Sequence, residues 1–272
     1  MTVHEDAAFD ALARDLTVRT GVSLASYKPK CLRRRIAVRM RACGVHTYDE
    51  YRGVLANTPE EVEKLHDALT INVTRFFRNP ETWDAVKANV LPGLLAKNAP
   101  VRAWSAGCSS GEEAHTLAML WADAAERAGR PEWLDRVSIE ATDIDRECML
   151  RARAGKYRTD AFVETPPRLV ERWTRPEGDG RIVDARLRAR VAVSTLDLTR
   201  DALPVRRHDL VVCRNVVIYF DRVTQERLFV GFHDALVPGG TLILGKVETL
   251  VGPARDLLEL VDVRERIYRR PV

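Results

Sequence analysis

Apolar positions recur with two different periods along this chain, and the change falls near residue 80. Before it the spacing is helical throughout. HEDAAFDALARDLTVRTG sets Phe9, Leu12, Ala13 and Leu16 on one face and stops at Gly21, and CLRRRIAVRMRACG sets Leu32, Ile36, Met40 and Cys43 on another. YDEYRGVLA fits a short helix, and TPEEVEKLHDALT opens on Thr-Pro-Glu-Glu, a helix-start signal. These segments predict a small all-helical unit.

From residue 80 onward helix and strand alternate. A helix over ETWDAVKANVLPGLL precedes the strand VRAWSA. A helix over 112–128, the strand VSIEATDID, a helix over 146–154 and the strands VAVSTLDL and HDLVVCRN follow. A helix over 222–236, the strand GTLILGK and a terminal strand in VRERIYRR complete the series. This order predicts an α/β fold, a mostly parallel, doubly wound sheet whose ligands bind beyond the strand C-termini. Residues 165–193 break the alternation with a Gly-rich turn between two runs, which predicts a small antiparallel β insert. The expected boundaries are therefore 1–75 for the helical domain and 76–272 for the sheet domain, with the insert at about 165–193.

Composition changes this picture little. A chain of 272 residues with 46% apolar content can bury a sizeable core. No apolar run is long enough to span a bilayer, and MTVHEDAAFD has neither a basic start nor an apolar stretch, so no membrane insertion, no signal peptide and a cytoplasmic location are expected. Five cysteines with no C-x-x-C and no Cys/His spacing predict buried thiols, with neither a disulfide framework nor a metal site. A monomer is expected. The net charge of +4 implies no general attraction to nucleic acid. Its distribution is less even: Lys28 to Arg41 holds seven basic residues (Lys28, Lys30, Arg33, Arg34, Arg35, Arg39, Arg41) and no acidic one. Such a run is either a solvated face or a docking surface for an acidic partner; no aromatic platform is interleaved with it to favour nucleic acid.

The candidate chemistry starts at SAGCSSGEE, residues 105–113. A glycine-rich strand-to-helix turn suggests a phosphate, because free amides at a helix N-terminus favour anions. Glu112 and Glu113 stand where the phosphate would sit, and the Lys-Ser/Thr of a P-loop is missing. A ligand with positive charge fits better. Asp143 closes the second strand, where related sheets place a carboxylate on ribose hydroxyls, yet G-x-x-x-G is not the dinucleotide fingerprint and the separation from Gly107 is long. An adenosyl ligand without a pyrophosphate, such as S-adenosylmethionine, suits these residues better than NAD. Each position also has a plain alternative: glycine for turn geometry, aspartate as a helix cap, asparagine to satisfy a loop. Their convergence on one sheet edge, with Asp197 and Asn215 after later strands, favours the site.

The segments TINVTRFFRNPETW, WSAGCSSGEEAHTLAM, ATDID, ARAGKY, VVCRNVVIYFD and LVPGGTLILGKVE, taken in order, resemble the CheR family of chemotaxis receptor glutamate methyltransferases over roughly residues 10 to 270. The resemblance implies a Rossmann-like class I methyltransferase domain and S-adenosylmethionine as cofactor. It implies a cofactor pocket lined by Asn72, Thr74, Arg78, Glu113, Asp143, Asp197, Leu198, Asn215 and Val216. It also implies transfer of the methyl group to glutamate carboxylates on the cytoplasmic coiled-coil domain of a chemoreceptor, with S-adenosylhomocysteine as product. Receptor methylation regions in the family are rich in glutamate, so Arg33, Arg34, Arg35, Arg39 and Arg41 become the expected docking residues.

The chemistry is consistent with that assignment. A glutamate is already ionised at pH 7, so attack on a sulfonium needs no general base. Placement is what remains: the oxygen must lie in line with the S–CH3 bond at about 3 to 3.5 Å. Arg78 is expected to hold the incoming carboxylate and the Tyr219 hydroxyl to orient it; the alternatives are a surface charge and a core aromatic. Two departures stand out. GKVE puts Lys246 and Val247 where many relatives have His and Ser, and the insert turn RPEGDGR is shorter than in members that grip a tethering peptide. A non-catalytic S-adenosylmethionine-sensing adaptor is the competing expectation.

Overall fold

The computed structural model describes residues 3–20, 22–70, 72–97 and 99–272; the stop expected at Gly21 lies outside the described residues. The chain forms two compact units, one of residues 1–72 with 219–224 and one of residues 73–218 with 225–272.

The helical unit contains α1 (Val3–Thr20), α2 (Pro29–Ala42), α3 (Tyr48–Asn57) and α4 (Pro59–Leu69). Its core takes the predicted stripes: Phe9, Leu12 and Leu16 from α1 and Leu32, Ile36 and Met40 from α2 are buried, with Cys43 half-buried at the end of the second stripe. The best helix start is one that the apolar spacing passes over. At α3 the Thr47 hydroxyl accepts from the Glu50 amide and the Glu50 carboxylate accepts from the amide of Thr47, a full capping box that contributes about 1 kcal/mol. Thr58, at the predicted Thr-Pro-Glu-Glu start of α4, makes no side-chain cap; Pro59 alone sets the first turn.

In the second unit the predicted helix over 81–95 is two helices, α5 (Pro80–Asn89) and α6 (Leu91–Ala96), because Pro92 has no amide to continue the ladder. Next come β1 (Val101–Ala106), α7 (Glu112–Arg127), β2 (Val137–Asp143), α8 (Arg146–Ala154), β3 (Lys156–Arg158), α9 (Pro167–Trp173), β4 (Thr174–Glu177), β5 (Gly180–Val183), α10 (Ala185–Arg188) and β6 (Val191–Thr195). The chain finishes with β7 (His208–Cys213), α11 (Arg222–Ala235), β8 (Leu236–Leu244), α12 (Ala254–Leu257), β9 (Glu259–Asp262) and β10 (Ile267–Arg269). The main sheet has the order β6-β2-β1-β7-β8-β10-β9, parallel through its first five strands and antiparallel at β10 and β9. This is the mostly parallel sheet that the alternation predicts, in the Rossmann-like form that the resemblance implies.

β7 explains the sheet's depth: all six of its residues are buried, as a central strand covered on both faces requires. The small sheet β3-β5-β4 is antiparallel, and its third strand comes from Lys156–Arg158, upstream of the expected insert span. The turn between β4 and β5 is tight, with Gly178 in the left-handed region. The edge strand β9 shows no buried and exposed alternation to announce it, since its adjacent apolar residues Leu260 and Val261 are both exposed. The five cysteines form no disulfide; Cys108, Cys148 and Cys213 are buried, and Cys31 and Cys43 are half-buried.

Candidate active site

Parallel pairing of β6, β2, β1, β7 and β8 brings five strand C-termini to one edge. Register fixes this: Ala106 lies beside Thr142, Asp143 beside Thr195, Ser105 beside Val212 and Cys213 beside Leu244. The turns after these strands therefore share one rim.

The turn after β1 folds back onto β2. The amides of Gly107 and Cys108 donate to the Thr142 carbonyl at 2.8 and 3.0 Å, the Ser109 amide donates to Asp143 Oδ2 at 2.8 Å, and the Gly111 amide donates to the Cys108 carbonyl at 3.0 Å. A phosphate would need these groups, and they are taken up within the protein. Gly107 has φ +76°, and a Cβ there would lie 2.6 Å from Val216 Cγ2, so the glycine lets two rim turns close on each other.

Three carboxyls face this region, Glu113 and Asp143 half-buried and Glu248 buried. Glu113 accepts from the Ser105 hydroxyl at 2.7 Å and lies 3.8 Å from the guanidinium of Arg214; burial raises its pKa, with Arg214 opposing. Asp143 is raised by burial although the amides of Asp145 and Ser109 hold its charged form. Glu248, the third, accepts from four backbone amides. Arg214 is the buried counter-charge: it lies 5.2 Å over the Trp83 ring and donates to the Arg78 carbonyl and Asn79 Oδ1 at 2.9 Å. Glu112 turns away to accept from the Ser110 hydroxyl. An excess of carboxyl groups over guanidinium along this rim suits a cation more than an anion.

The remaining sequence-predicted residues divide. Asn215 sits in the left-handed region with φ +60°, and its side-chain Oδ1 is buried without a hydrogen-bond partner. Val216 packs beside Gly107. Arg78 is half-buried, donating one nitrogen to the Val73 carbonyl at 2.9 Å, in a segment where Phe77 and Asn79 both have positive φ; Thr74 is half-buried in the same segment. Asp197 holds its own turn, accepting from the Thr199 amide and hydroxyl at 2.7 Å, and Leu198 is buried. Asn72 and Tyr219 belong to the helical unit. There the Lys28 amide donates to the Tyr219 carbonyl at 2.9 Å and the Arg35 guanidinium lies 4.8 Å over the Tyr219 ring.

The basic stretch is not one uniform face. Arg33 pairs with Asp6 at 2.7 Å and covers the Phe9 ring, Arg39 forks onto buried Glu61, and Arg35 donates to the Leu69 carbonyl as well as covering Tyr219. Lys30, Arg34 and Arg41 are exposed.

Comparison with known families decides the class. Residues 72–267 match the family described as CheR methyltransferase, SAM binding domain, and residues 7–70 match CheR methyltransferase, all-alpha domain. The chain belongs to the CheR methyltransferase family. It is 34% identical over 262 residues to the chemotaxis protein methyltransferase of Klebsiella aerogenes, covering 92% of this chain and 86% of that protein. Chemotaxis protein methyltransferase 1 of Pseudomonas aeruginosa is 32% identical over 250 residues, covering 90% of this chain and 91% of that one. An uncharacterized 104.1 kDa protein of Rhodobacter capsulatus is 34% identical over 265 residues, but this chain spans only 27% of its length. Among solved structures, an S-adenosylmethionine dependent methyltransferase from Mesorhizobium loti overlaps 60% of this chain and 54% of that one at 20% identity and a TM-score of 0.32, a likeness too slight to carry an argument.

The CheR cofactor, S-adenosylmethionine, suits the rim on two observations. Four amides of the turn after β1 are already bonded within the protein, and the buried Asn215 Oδ1 lacks a donor that an adenosyl group can supply. Two residues escape a reading by motif. Arg214 precedes Asn215 and reads as an ordinary charge in CRNV, and Glu248 ends GKVE, where attention goes to Lys246 and Val247. A charged residue within four positions of an apolar strand's end is the signal that both give.

Proposed function

We propose that this CheR-family chain methylates glutamate side chains on the cytoplasmic coiled-coil domain of a chemoreceptor, yielding glutamate methyl ester and S-adenosylhomocysteine. The observation that carries the cofactor half of this reading is the turn after β1, where the amides of Gly107, Cys108, Ser109 and Gly111 are bonded internally and the half-buried carboxyls Glu113 and Asp143 border the turn. We assign cofactor contacts to Asn72, Thr74, Arg78, Glu113, Asp143, Asp197, Leu198, Asn215 and Val216. For Asp197 the contact falls to the backbone of its turn, because its carboxylate is engaged by Thr199. The division of labour follows the chain, with a helical domain over about 1–75 and a methyltransferase domain over 76–272.

The substrate carboxylate is the nucleophile and needs no deprotonation, so the protein's work is to orient and to exclude water. Arg78 is the cation assigned to the incoming carboxylate. It must hold that group without binding it too firmly, since opposite charges cancel as the methyl moves. Tyr219 orients the carboxylate through its hydroxyl. Docking falls to Lys30, Arg34 and Arg41, the members of the basic run that are exposed.

Incubation of the protein with methyl-labelled cofactor and receptor-bearing membranes tests this. Base-labile label on the receptor is the expected result. Tight S-adenosylhomocysteine binding with no transfer would replace the enzyme with a cofactor-sensing adaptor.

A further inference from the structure

β7 and β8 end side by side, with Cys213 opposite Leu244, and the chain after each strand makes a turn. The side chain of Glu248 ties these turns together. Its Oε2 accepts from the amides of Asn215 at 2.9 Å and Gly245 at 2.6 Å, and its Oε1 accepts from Val216 at 3.0 Å and Ile218 at 3.3 Å. The Glu248 amide closes the second turn by donating to the Gly245 carbonyl at 2.8 Å. Glu248 is 2% exposed, and all four of these donors to its carboxyl are backbone groups.

From this four-amide cradle we infer that Glu248 is a positioning residue for cofactor binding, setting the backbone of the Asn215–Ile218 turn so that Asn215 and Val216 present their contact atoms to the adenosyl group. The inference rests on the assignment of Asn215 and Val216 to the cofactor. Two features support it. Asn215 is held with φ +60°, a conformation uncommon outside glycine and best tolerated by asparagine, and the amides of Asn215 and Val216 on either side of it both end on Glu248. Gly245 is required by the same cradle: a Cβ there would stand 2.8 Å from Glu248 Oε2, 2.9 Å from the Asn215 amide nitrogen and 3.0 Å from Asn215 Nδ2.

The frame that this geometry needs is Gly-x-x-Glu. The two intervening side chains are outside it: Lys246 reaches Glu81 at 3.1 Å and Glu265 at 3.4 Å, and Val247 is 75% exposed. Replacement of His-Ser by Lys-Val therefore leaves the cradle intact.

A glutamine cannot substitute. It has one acceptor oxygen, and its amide group would turn a donor toward two backbone donors. In Glu248→Gln the dissociation constant for S-adenosylhomocysteine, measured by calorimetry well below the melting temperature, should rise roughly ten- to hundredfold. Three further variants make the result decisive. Asp209→Asn, at the opposite end of β7, removes a buried carboxylate held by Lys97 and the Arg102 amide; it should lower the melting temperature and leave that constant unchanged. Gly245→Ala displaces the cradle with its charge retained and should weaken binding as Glu248→Gln does, so the inference survives a glutamine variant that fails to fold. Asn215→Ala separates the cofactor assignment from the role of the cradle. Normal binding by Asn215→Ala would overturn the assignment of the turn to the cofactor. Weak binding by Asn215→Ala beside normal binding by folded Glu248→Gln, or by Gly245→Ala, would overturn the role of Glu248.

Discussion

Arg39 gives the sharpest test of how the basic helix is used. The run of positive charge places it on a docking surface, whereas its guanidinium forks onto Glu61, with Nε 2.9 Å from Oε1 and a terminal nitrogen on Oε2. Glu61 is 4% exposed and also accepts from the Tyr51 hydroxyl at 2.7 Å, so α2, α3 and α4 meet at one carboxylate. Truncating Arg39 to alanine leaves that charge buried with neutral donors alone, the Tyr51 hydroxyl and the Cys43 thiol. Breaking a buried pair in this way costs about 3 to 5 kcal/mol, and since Arg39 is itself 22% exposed the lower figure applies. For a unit of this size about 3 kcal/mol corresponds to a fall of roughly 12 to 24 °C in its melting transition. Arg34→Ala should change stability by less than about 0.5 kcal/mol. The assay is urea unfolding of the full chain by far-UV circular dichroism together with scanning calorimetry, with S-adenosylhomocysteine affinity as the check on the other unit. An Arg39→Ala protein that melts like wild type yet methylates receptor poorly would refute the structural role and restore docking. Acid gives an independent reading of the same pair. Burial pushes the Glu61 pKa up, but the hydrogen bonds from Arg39 and Tyr51 outweigh it and leave the value lowered. The stabilisation is therefore complete above the unfolded value of about 4.3 and is lost as pH falls through the folded value below it.

Three other outcomes follow from the same geometry. Asp143→Ala should weaken S-adenosylhomocysteine binding at least tenfold and also cost about 1 to 3 kcal/mol, because the amides of Ser109 and Asp145 lose their acceptor; calorimetry and thermal melting read the two effects separately. Gly107→Ala should destabilise by about 1 to 3 kcal/mol, since its Cβ would meet Val216 at 2.6 Å in a left-handed backbone, and normal melting would contradict the packing described. Reversing charge at Arg34 and Arg41 should raise KM for receptor with cofactor affinity unchanged, whereas Arg35→Ala, which uncovers Tyr219, should lower kcat; a matching KM effect in all three would mean that Arg35 is also a docking residue.

The sheet is legible in the sequence because short β-branched apolar runs such as LVVC suit a strand covered on both faces, and because strand followed by helix leaves few topologies. The residues just beyond each strand are legible by type and not by partner. Asp143 reads as a carboxylate awaiting a ribose, yet two of its bonds hold neighbouring turns; Asp197 reads as a pocket residue after a later strand, and its carboxylate caps the adjoining turn. Glu248 is hidden for the complementary reason. Its partners are backbone amides of a turn thirty-odd positions away, and an amide leaves no mark on a sequence.

The basic helix, by contrast, contains more information than a count of charges extracts. At about 100° per residue and with Ile36 as the centre of the buried face, Arg33, Arg35 and Arg39 fall within about 60 to 100° of it, on its shoulders. Lys30, Arg34 and Arg41 fall about 120 to 160° away. A long side chain on the shoulder lies along apolar surface and reaches the carboxylates, carbonyls and rings that border the core, as these three do with Asp6, Tyr219 and Glu61. One on the far side meets only solvent or a partner. Angular position, more than charge density, thus separates the arginines that build the helical unit from those left facing solvent or a partner.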